Sequence, residues 1–452
     1  MQRPIEDSGK PAGLDRLLSP FANVRPGEGA TALLLMVNVF ILLTAYYIVK
    51  PVREALILGE SGAEIKSYAS AGQAALFLLI IPLYGMLGSR VNRVWLINGV
   101  TAFFASNLVL FFVFGRMGFS LGVPFYLWVG LFNLMLVAQF WAFANDVYTK
   151  PQGERLFGVV GIGASLGAIL GALLAGWLFK PIGPYPMMLI SAGLLILSMA
   201  ITNWVHLSEK SRPSPEKVVS TAEQTEKPLG TAGGFQLIFK SRYLLLIAIL
   251  VLLSNFVNTT GEFILGKTVS ATAEVATQGS ADAAAATKNY IGTFYADFFF
   301  WVNLVGAAIQ MFAASRIMQF LGAGKALFFL PIVALGGYSI LAIVPILGLI
   351  RIAKIVENSL DYSIQNTARH ALFLPTSREE KYKAKSAIDS FFWRAGDTLS
   401  GLLVFTGTQL ALSIRTFAAV NVVLVLVWLG LAIAIVRYTR QQQSPSTTRL
   451  AA

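Results

Sequence analysis

The sequence has no cysteine, only two histidines, His206 and His370, and charged side chains at just 13% of its 452 positions. Without cysteine there is no disulfide, no thiolate nucleophile and no thiolate-bound metal. Two histidines are too few for a histidine cage, so neither a metal site nor a resident cofactor is expected. The chain also lacks a phosphate-binding P-loop, a zinc pattern and a catalytic triad with a base in reach. An ATP-driven pump is therefore not expected, and no residue is assigned a catalytic role. Acidic residues are scarce as well, 23 against 35 Lys and Arg, for a net charge of +12. In a soluble chain that excess would point to nucleic acid. In a polytopic membrane chain it points to cytoplasmic loops, and no nucleic-acid partner is expected.

What the chain has is apolar length. Hydrophobic residues make up 56% of it, and its mean hydropathy is strongly positive, a composition no soluble domain shows. Twelve stretches match the ~20 residues that cross a ~30 Å hydrocarbon core. They run Thr31 to Val49, Ser67 to Leu87, Trp95 to Phe114, Val123 to Ala144, Phe157 to Phe179, Met187 to Val205, Tyr243 to Leu265, Ile291 to Ala313, Ala326 to Leu347, Gly348 to Leu374, Ala387 to Leu410 and Thr416 to Val436. The expected fold is an all-α polytopic membrane protein of twelve transmembrane helices. Its organisation reads as a tail (1–30), a six-helix half (31–206), a Pro-, Ser- and Glu-bearing linker (207–240), a second six-helix half (241–437) and a tail (438–452). The tail 1–30 is polar and lacks the basic-then-apolar order of a cleaved signal, so the first helix should insert itself.

Orientation follows from Lys and Arg. With both termini and the linker on one side, that side holds 24 of the 35 and the other holds 8. The bias predicts cytoplasmic termini. Short loops and no targeting segment fit a bacterial inner membrane, with the lipid bilayer as the surrounding partner and a monomer as the expected state. The longest outer loop should open near Lys267 and run through Ala281 to Ala286.

Charge inside such helices costs at least ~2.5 kcal/mol at the bilayer centre and is kept where it faces a bundle interior or a hydrated cavity. Tyr46, Lys50 and Arg53 share one face near the end of the first span. They form a candidate site for an anionic solute; the alternative is that both cations snorkel to lipid phosphates. On the tenth span Arg351, Lys354, Asn358, Asp361, Gln365 and Arg369 follow three- and four-residue steps over ~27 Å, as a hydrated path or an ion-pair seam requires. The seventh span places Asn255, Asn258, Thr259 and Glu262 on one face, and the eighth contributes Tyr295 and Asp297. On the eleventh, Asp389 precedes Arg394 and Asp397, which are spaced to touch. Asn145 and Asn366 end the fourth and tenth spans in similar Asn-bearing turns, each followed by a glycine-bearing helix, a faint trace of internal duplication. Gly163, Gly167 and Gly171 form a small-xxx-small stripe that helix packing explains without chemistry.

Four segments resemble a known family in order along nearly the whole chain. They are Tyr47-Ile48-Val49-Lys50-Pro51-Val52-Arg53-Glu54, Phe140-Trp141-Ala142-Phe143-Ala144-Asn145-Asp146, Arg155-Leu156-Phe157-Gly158 and Lys383-Ala384-Lys385-Ser386-Ala387-Ile388-Asp389. Together they resemble the ATP/ADP translocase family, the nucleotide exchangers of plastids and obligate intracellular bacteria. The resemblance implies a major-facilitator-like fold, alternating access, and exchange of ATP for ADP or transport of a related organic anion, with Arg53 as the cation beside the phosphates. Two positions depart from the pattern. Gly396 is followed by Asp397 where nucleotide carriers usually have lysine, and Asn258 stands where they usually have glutamate, with Glu262 one turn later.

The expected substrate-binding set is Tyr46, Lys50, Arg53, Asn145, Arg351, Lys354, Asn358, Asp361 and Asn366. The expected gating or coupling set is Glu54, Glu262, Asp297, Asp389, Arg394 and Asp397. Two other classes stay open: a proton-coupled transporter of another solute using Asp361 or Glu262, and a non-transporting membrane scaffold.

Overall fold

The structure is a computed structural model that describes residues 24–25, 27–88, 91–210, 233–377 and 379–443. The tail before residue 24, most of the linker (211–232) and the tail after residue 443 lie outside the described residues. All regular structure among the described residues is helical. The helices are α1 (Gly29–Glu60), α2 (Gly62–Gly88), α3 (Arg93–Arg116), α4 (Gly122–Val147), α5 (Lys150–Ile182), α6 (Pro184–Lys210), α7 (Gly234–Lys240), α8 (Arg242–Ala276), α9 (Ala283–Ile309), α10 (Ser315–Ala326), α11 (Phe329–Ile343), α12 (Leu347–Leu360), α13 (Asn366–Ala371), α14 (Trp393–Gln409) and α15 (Ile414–Gln443). Eight helices among the described residues are long and apolar enough to cross a membrane. Each of the twelve expected spans falls on a helix or on joined helical segments, making this an all-α, multi-pass membrane protein.

Two boundaries differ from expectation. Helix α1 does not close near Lys50; it runs through Pro51 to Glu60, so Lys50 and Arg53 lie inside it. Proline removes one helical hydrogen bond, but almost every side chain from Ala45 to Leu58 is buried here, and packing outweighs that loss. Likewise α8 continues eleven residues past Leu265, to Ala276, and α9 already begins at Ala283. The expected long outer loop shrinks to residues 277–282 because its Ala-rich flanks are good helix formers. Four π-helical turns interrupt the later helices, at Gln310–Ala314, Asp361–Gln365, Glu380–Ala384 and Ile388–Phe392. Such turns rotate the side chains that follow them.

The chain forms two compact units. One comprises Met1–Arg53, Pro82–Leu121 and Trp128–Lys227; the other comprises Glu54–Ile81, Gly122–Leu127 and Pro228–Ala452. In the first, α1 lies directly on α5. A Cβ on Gly163, Gly167 or Gly171 would come within 2.3, 2.3 and 2.6 Å of the carbonyl oxygens of Met36, Phe40 and Thr44. The stripe is therefore a contact surface for backbone. A polar seam joins α1 to α6, where Asn38 donates to Thr202 at 2.8 Å and accepts from Ser198 at 2.5 Å. Helix α3 packs along α6, tied by Asn98 donating to Asn203 at 2.8 Å.

In the second unit α8 is the central element, packed against α12, α14 and α15. Gly396 permits the approach of α14, since a Cβ there would lie 2.6 Å from the Leu252 carbonyl and 2.8 Å from the Phe256 amide nitrogen. Helix α12 is also flanked by α9 and α11. A polar residue on its inner faces therefore meets protein rather than lipid.

Candidate functional site

Tyr46, Lys50 and Arg53 belong to the first unit. The Lys50 ammonium leans over its own helix, 5.9 Å from the Tyr46 ring centre and 4.9 Å from that of Tyr47. Cation–π attraction of this kind partly replaces the water that a buried ammonium gives up. Lys50 is buried and Arg53 half-buried. Tyr46 also stacks on Phe132 of α4 at 5.9 Å, which fixes the phenol beside the lysine. Asn145 turns back to its own helix, donating to the Trp141 carbonyl at 2.9 Å. Its neighbour Asp146 pairs with Arg93 at the start of α3.

The second unit is built around Lys354. This side chain is only 1% exposed, and its ammonium donates to the Asn258 side-chain oxygen at 2.7 Å. It also lies 3.2 Å from Glu357 and 3.5 Å from Glu262. Glu262 accepts from the Asn358 amide at 3.1 Å, and the Tyr338 hydroxyl donates to Glu357 at 2.9 Å. The local rule is simple. Lys354, Glu357 and Asn358 sit at i, i+3 and i+4 on α12, while Asn258 and Glu262 sit at i and i+4 on α8. Two helices thus present matching polar faces. Gly261 leaves room between them: a Cβ there would stand 2.0 Å from the Tyr338 hydroxyl and 3.0 Å from the Lys354 ammonium. Glu357 and Tyr338 were not among the expected site residues. The three-residue step from Lys354 marks Glu357 in the sequence; Tyr338 sits in an apolar run that nothing marks.

The long stripe on the tenth span divides into separate pairings. Arg351 pairs with Asp297 of α9 and lies 5.8 Å from the Phe294 ring centre. It borders a shallow surface groove of about 390 Å³ lined by Trp301, Ile352 and Val356. Asp361 opens a π-helical turn, beyond which Asn366 accepts from Arg369 at 3.1 Å. The Arg369 guanidinium in turn lies 4.7 Å from the Trp393 ring centre.

On the eleventh span Asp389 takes Lys385 at 2.6 Å. Arg394 donates to Asp397 at 3.0 Å and stacks 4.4 Å from the Phe77 ring centre. Asp397 also accepts from Asn255 at 2.9 Å and Thr259 at 2.8 Å. This buried acid therefore carries three donors, one of them a guanidinium, and its charge is compensated at home. An acid at the position where the resemblance expects lysine is thus not a bare negative charge.

Glu54 leads to a cluster at the corner between α1 and α2. Gly62 turns the chain there with φ 84°, a left-handed conformation that glycine adopts freely. Around the corner three acids each take a lysine: Glu54 with Lys66 at 2.7 Å, Glu60 with Lys288 at 2.8 Å, and Glu64 with Lys267. Glu60 also accepts the Gly122 amide at 2.7 Å, and the Lys66 ammonium lies 5.3 Å from the Tyr295 ring centre. The corner is in this way latched to α8, α9 and the start of α4. Lys66 is within electrostatic reach of Glu262 as well, which links the latch to the Lys354 cluster.

Comparison with known proteins agrees with this architecture. The chain is 23% identical over 342 residues to ADP,ATP carrier protein 1 of Chlamydia pneumoniae, covering 66% of this chain and 63% of that protein. It thus spans somewhat less than two thirds of that relative. With ADP,ATP carrier protein 2 of the same organism it shares 22% identity over 474 residues, covering 87% of this chain and 85% of the other. Among solved structures, the nucleoside transporter NupG superposes with a TM-score of 0.59 at 13% identity, covering 90% of this chain and 98% of NupG. The same helical arrangement recurs there with almost no shared sequence. Residues 32–356 match the description of one family, and the chain accordingly belongs to the Major Facilitator Superfamily of membrane transporters, within which it is similar to ADP,ATP carriers.

Proposed function

We propose that this transporter moves an organic anion by alternating access and that the anion is a nucleotide, ATP exchanged for ADP. One observation carries the reading: Lys354, an ammonium buried in the middle of a membrane helix and held ready by an amide and two carboxylates. A buried lysine is costly unless it serves a ligand or a fixed pair, and here its partners are shared rather than dedicated. Lys50 and Arg53 are the further cations expected to meet phosphate. The likeness to ADP,ATP carriers supports nucleotide as the anion.

In the cycle, the latch of Glu54, Glu60 and Glu64 with their lysines is one closed gate, and Asp389, Arg394 and Asp397 belong to a second set of pairs that changes partners. The six-helix halves 31–206 and 241–437 rock against each other, with both termini in the cytoplasm of a bacterial inner membrane. The transporter acts as a monomer.

Ligand-dependent thermal stability of the purified protein tests the substrate class. A ligand at 100 times its dissociation constant stabilises a folded protein by ~2.7 kcal/mol. ATP and ADP should raise the unfolding midpoint, and adenosine or organic cations at the same concentration should not. Stabilisation by cations alone would refute the reading.

A further inference from the structure

The Lys354 cluster holds one ammonium between two carboxylates, and the two are not equally provided for. Glu262 has the Asn358 amide and a second cation, Lys66, within electrostatic reach. Glu357, 6% exposed, has Lys354 at 3.2 Å and the Tyr338 hydroxyl at 2.9 Å. The charged and titratable groups that face it are Lys354 from its own helix, Tyr338 from α11 and Glu262 from α8. On α9, Asp297 is taken by Arg351, and Tyr295 lies against Lys66. When Lys354 turns toward a phosphate, Glu262 keeps a cation nearby and Glu357 keeps none of these. A buried carboxylate stripped of its counter-ion is strongly disfavoured and takes up a proton instead.

We propose that Glu357 is a proton-binding site linked to the solute: recruitment of Lys354 by an anion protonates Glu357, and return of Lys354 releases that proton. This rests on Lys354 being the cation that an anionic solute engages. The step is a plain acid–base change. A proton from the water phase converts the Glu357 carboxylate to the acid, Lys354 stays an ammonium, and no bond in the solute is made or broken. Tyr338 serves both forms, since its hydroxyl donates to the carboxylate and accepts from the acid. Net movement of anion and proton in the same direction follows whenever the empty carrier returns with Lys354 back on Glu357. One-for-one nucleotide exchange moves no net proton through the site.

Infrared spectroscopy of the full-length protein tests the site without a substrate. Replacing Lys354 by methionine imitates its withdrawal. A protonated-carboxyl band at neutral pH is expected in Lys354→Met, absent from the wild type and lost again in Lys354→Met/Glu357→Gln. If the methionine variant does not fold, Lys354→Gln, which keeps a polar atom in the cage, takes its place. No new band, or one that persists in the double variant, overturns the proposal. In wild-type vesicles without internal nucleotide, ATP entry should acidify the lumen in proportion to uptake, and entry with no acidification also overturns it. If ATP does not enter while the band behaves as expected, nucleotide transport fails and the proton site stands.

Discussion

Gly261 offers a sharp test of the Lys354 cluster. Its replacement by alanine would put a methyl 2.0 Å from the Tyr338 hydroxyl, 3.1 Å from the ring carbon that bears it and 3.0 Å from the Lys354 ammonium. The hydroxyl must move, and with it goes its bond to Glu357. A hydrogen bond to a charged group contributes ~1.5–3 kcal/mol, and overpacking adds ~1–3 kcal/mol. Gly261→Ala should therefore destabilise the protein by about 2.5–6 kcal/mol, read by equilibrium unfolding in mixed detergent. Tyr338→Phe alone loses only the hydrogen bond, ~1.5–3 kcal/mol. In its background the closest clash is gone, because the phenol oxygen is absent. The two changes together should cost well below the sum of the single costs, with a non-additive share of ~1–3 kcal/mol. Strict additivity would mean that the methyl does not meet the hydroxyl, and the geometry of the cluster would be wrong.

Further expectations follow from other parts of the molecule. Gly167→Val should abolish expression of folded protein, since even a Cβ would lie 2.3 Å from the Phe40 carbonyl; normal yield and thermal stability would contradict the α1–α5 contact. Lys288→Met should loosen the corner latch, because Glu60 would be left part-buried with a lost ion pair, a cost of ~1–3 kcal/mol. The chain has no native cysteine, so Ala63→Cys, buried at the corner, can report the change directly. Its maleimide labelling should accelerate about tenfold, the equivalent of ~1.4 kcal/mol, and an unchanged rate would argue against the latch. Near the start of α1, Glu28 is tied to Arg155 at 2.8 and 3.0 Å. Burial alone would raise its pKa, but the Arg155 guanidinium, the Arg25 amide and Gln152 together hold it below the ordinary 4.5. A lowered folded-state value means stability present above pH ~4.5 and lost as pH falls through the depressed value. Glu28→Gln should reduce stability at neutral pH and flatten that acid limb; an unaltered limb would contradict the pairing.

Much of this was legible in the sequence because apolar length and three- or four-residue spacing are local signals. The twelve apolar runs each found a helix. The faces of α8 and α12 were visible as Asn258 with Glu262 and as Lys354 with Asn358, and the step from Arg394 to Asp397 became a contact. What could not be read was the pairing between distant elements. Glu60 and Lys288 lie 228 positions apart, and no spacing joins them. The stripe from Arg351 to Arg369 is continuous only on regular helical steps, and the π-helical turn at Asp361–Gln365 rotates its second half. Glu357 stands at the edge of the line through Lys354 and Asn358, one residue before Asn358, and its partner Tyr338 lies in an apolar run of a different helix. Helix α8 outran its apolar segment because helix propensity and packing, not hydropathy, decide where a helix ends beyond the membrane core.

The proposed function is nucleotide transport that depends on Lys354 and on Arg53. It is tested most directly by uptake of labelled ATP into vesicles preloaded with ADP, with wild type, Lys354→Met and Arg53→Ala compared at equal amounts of folded protein. Saturable uptake that internal ADP accelerates and that falls at least tenfold in both variants is the predicted result. Wild-type uptake that both variants retain, or no uptake from folded wild type, would contradict it.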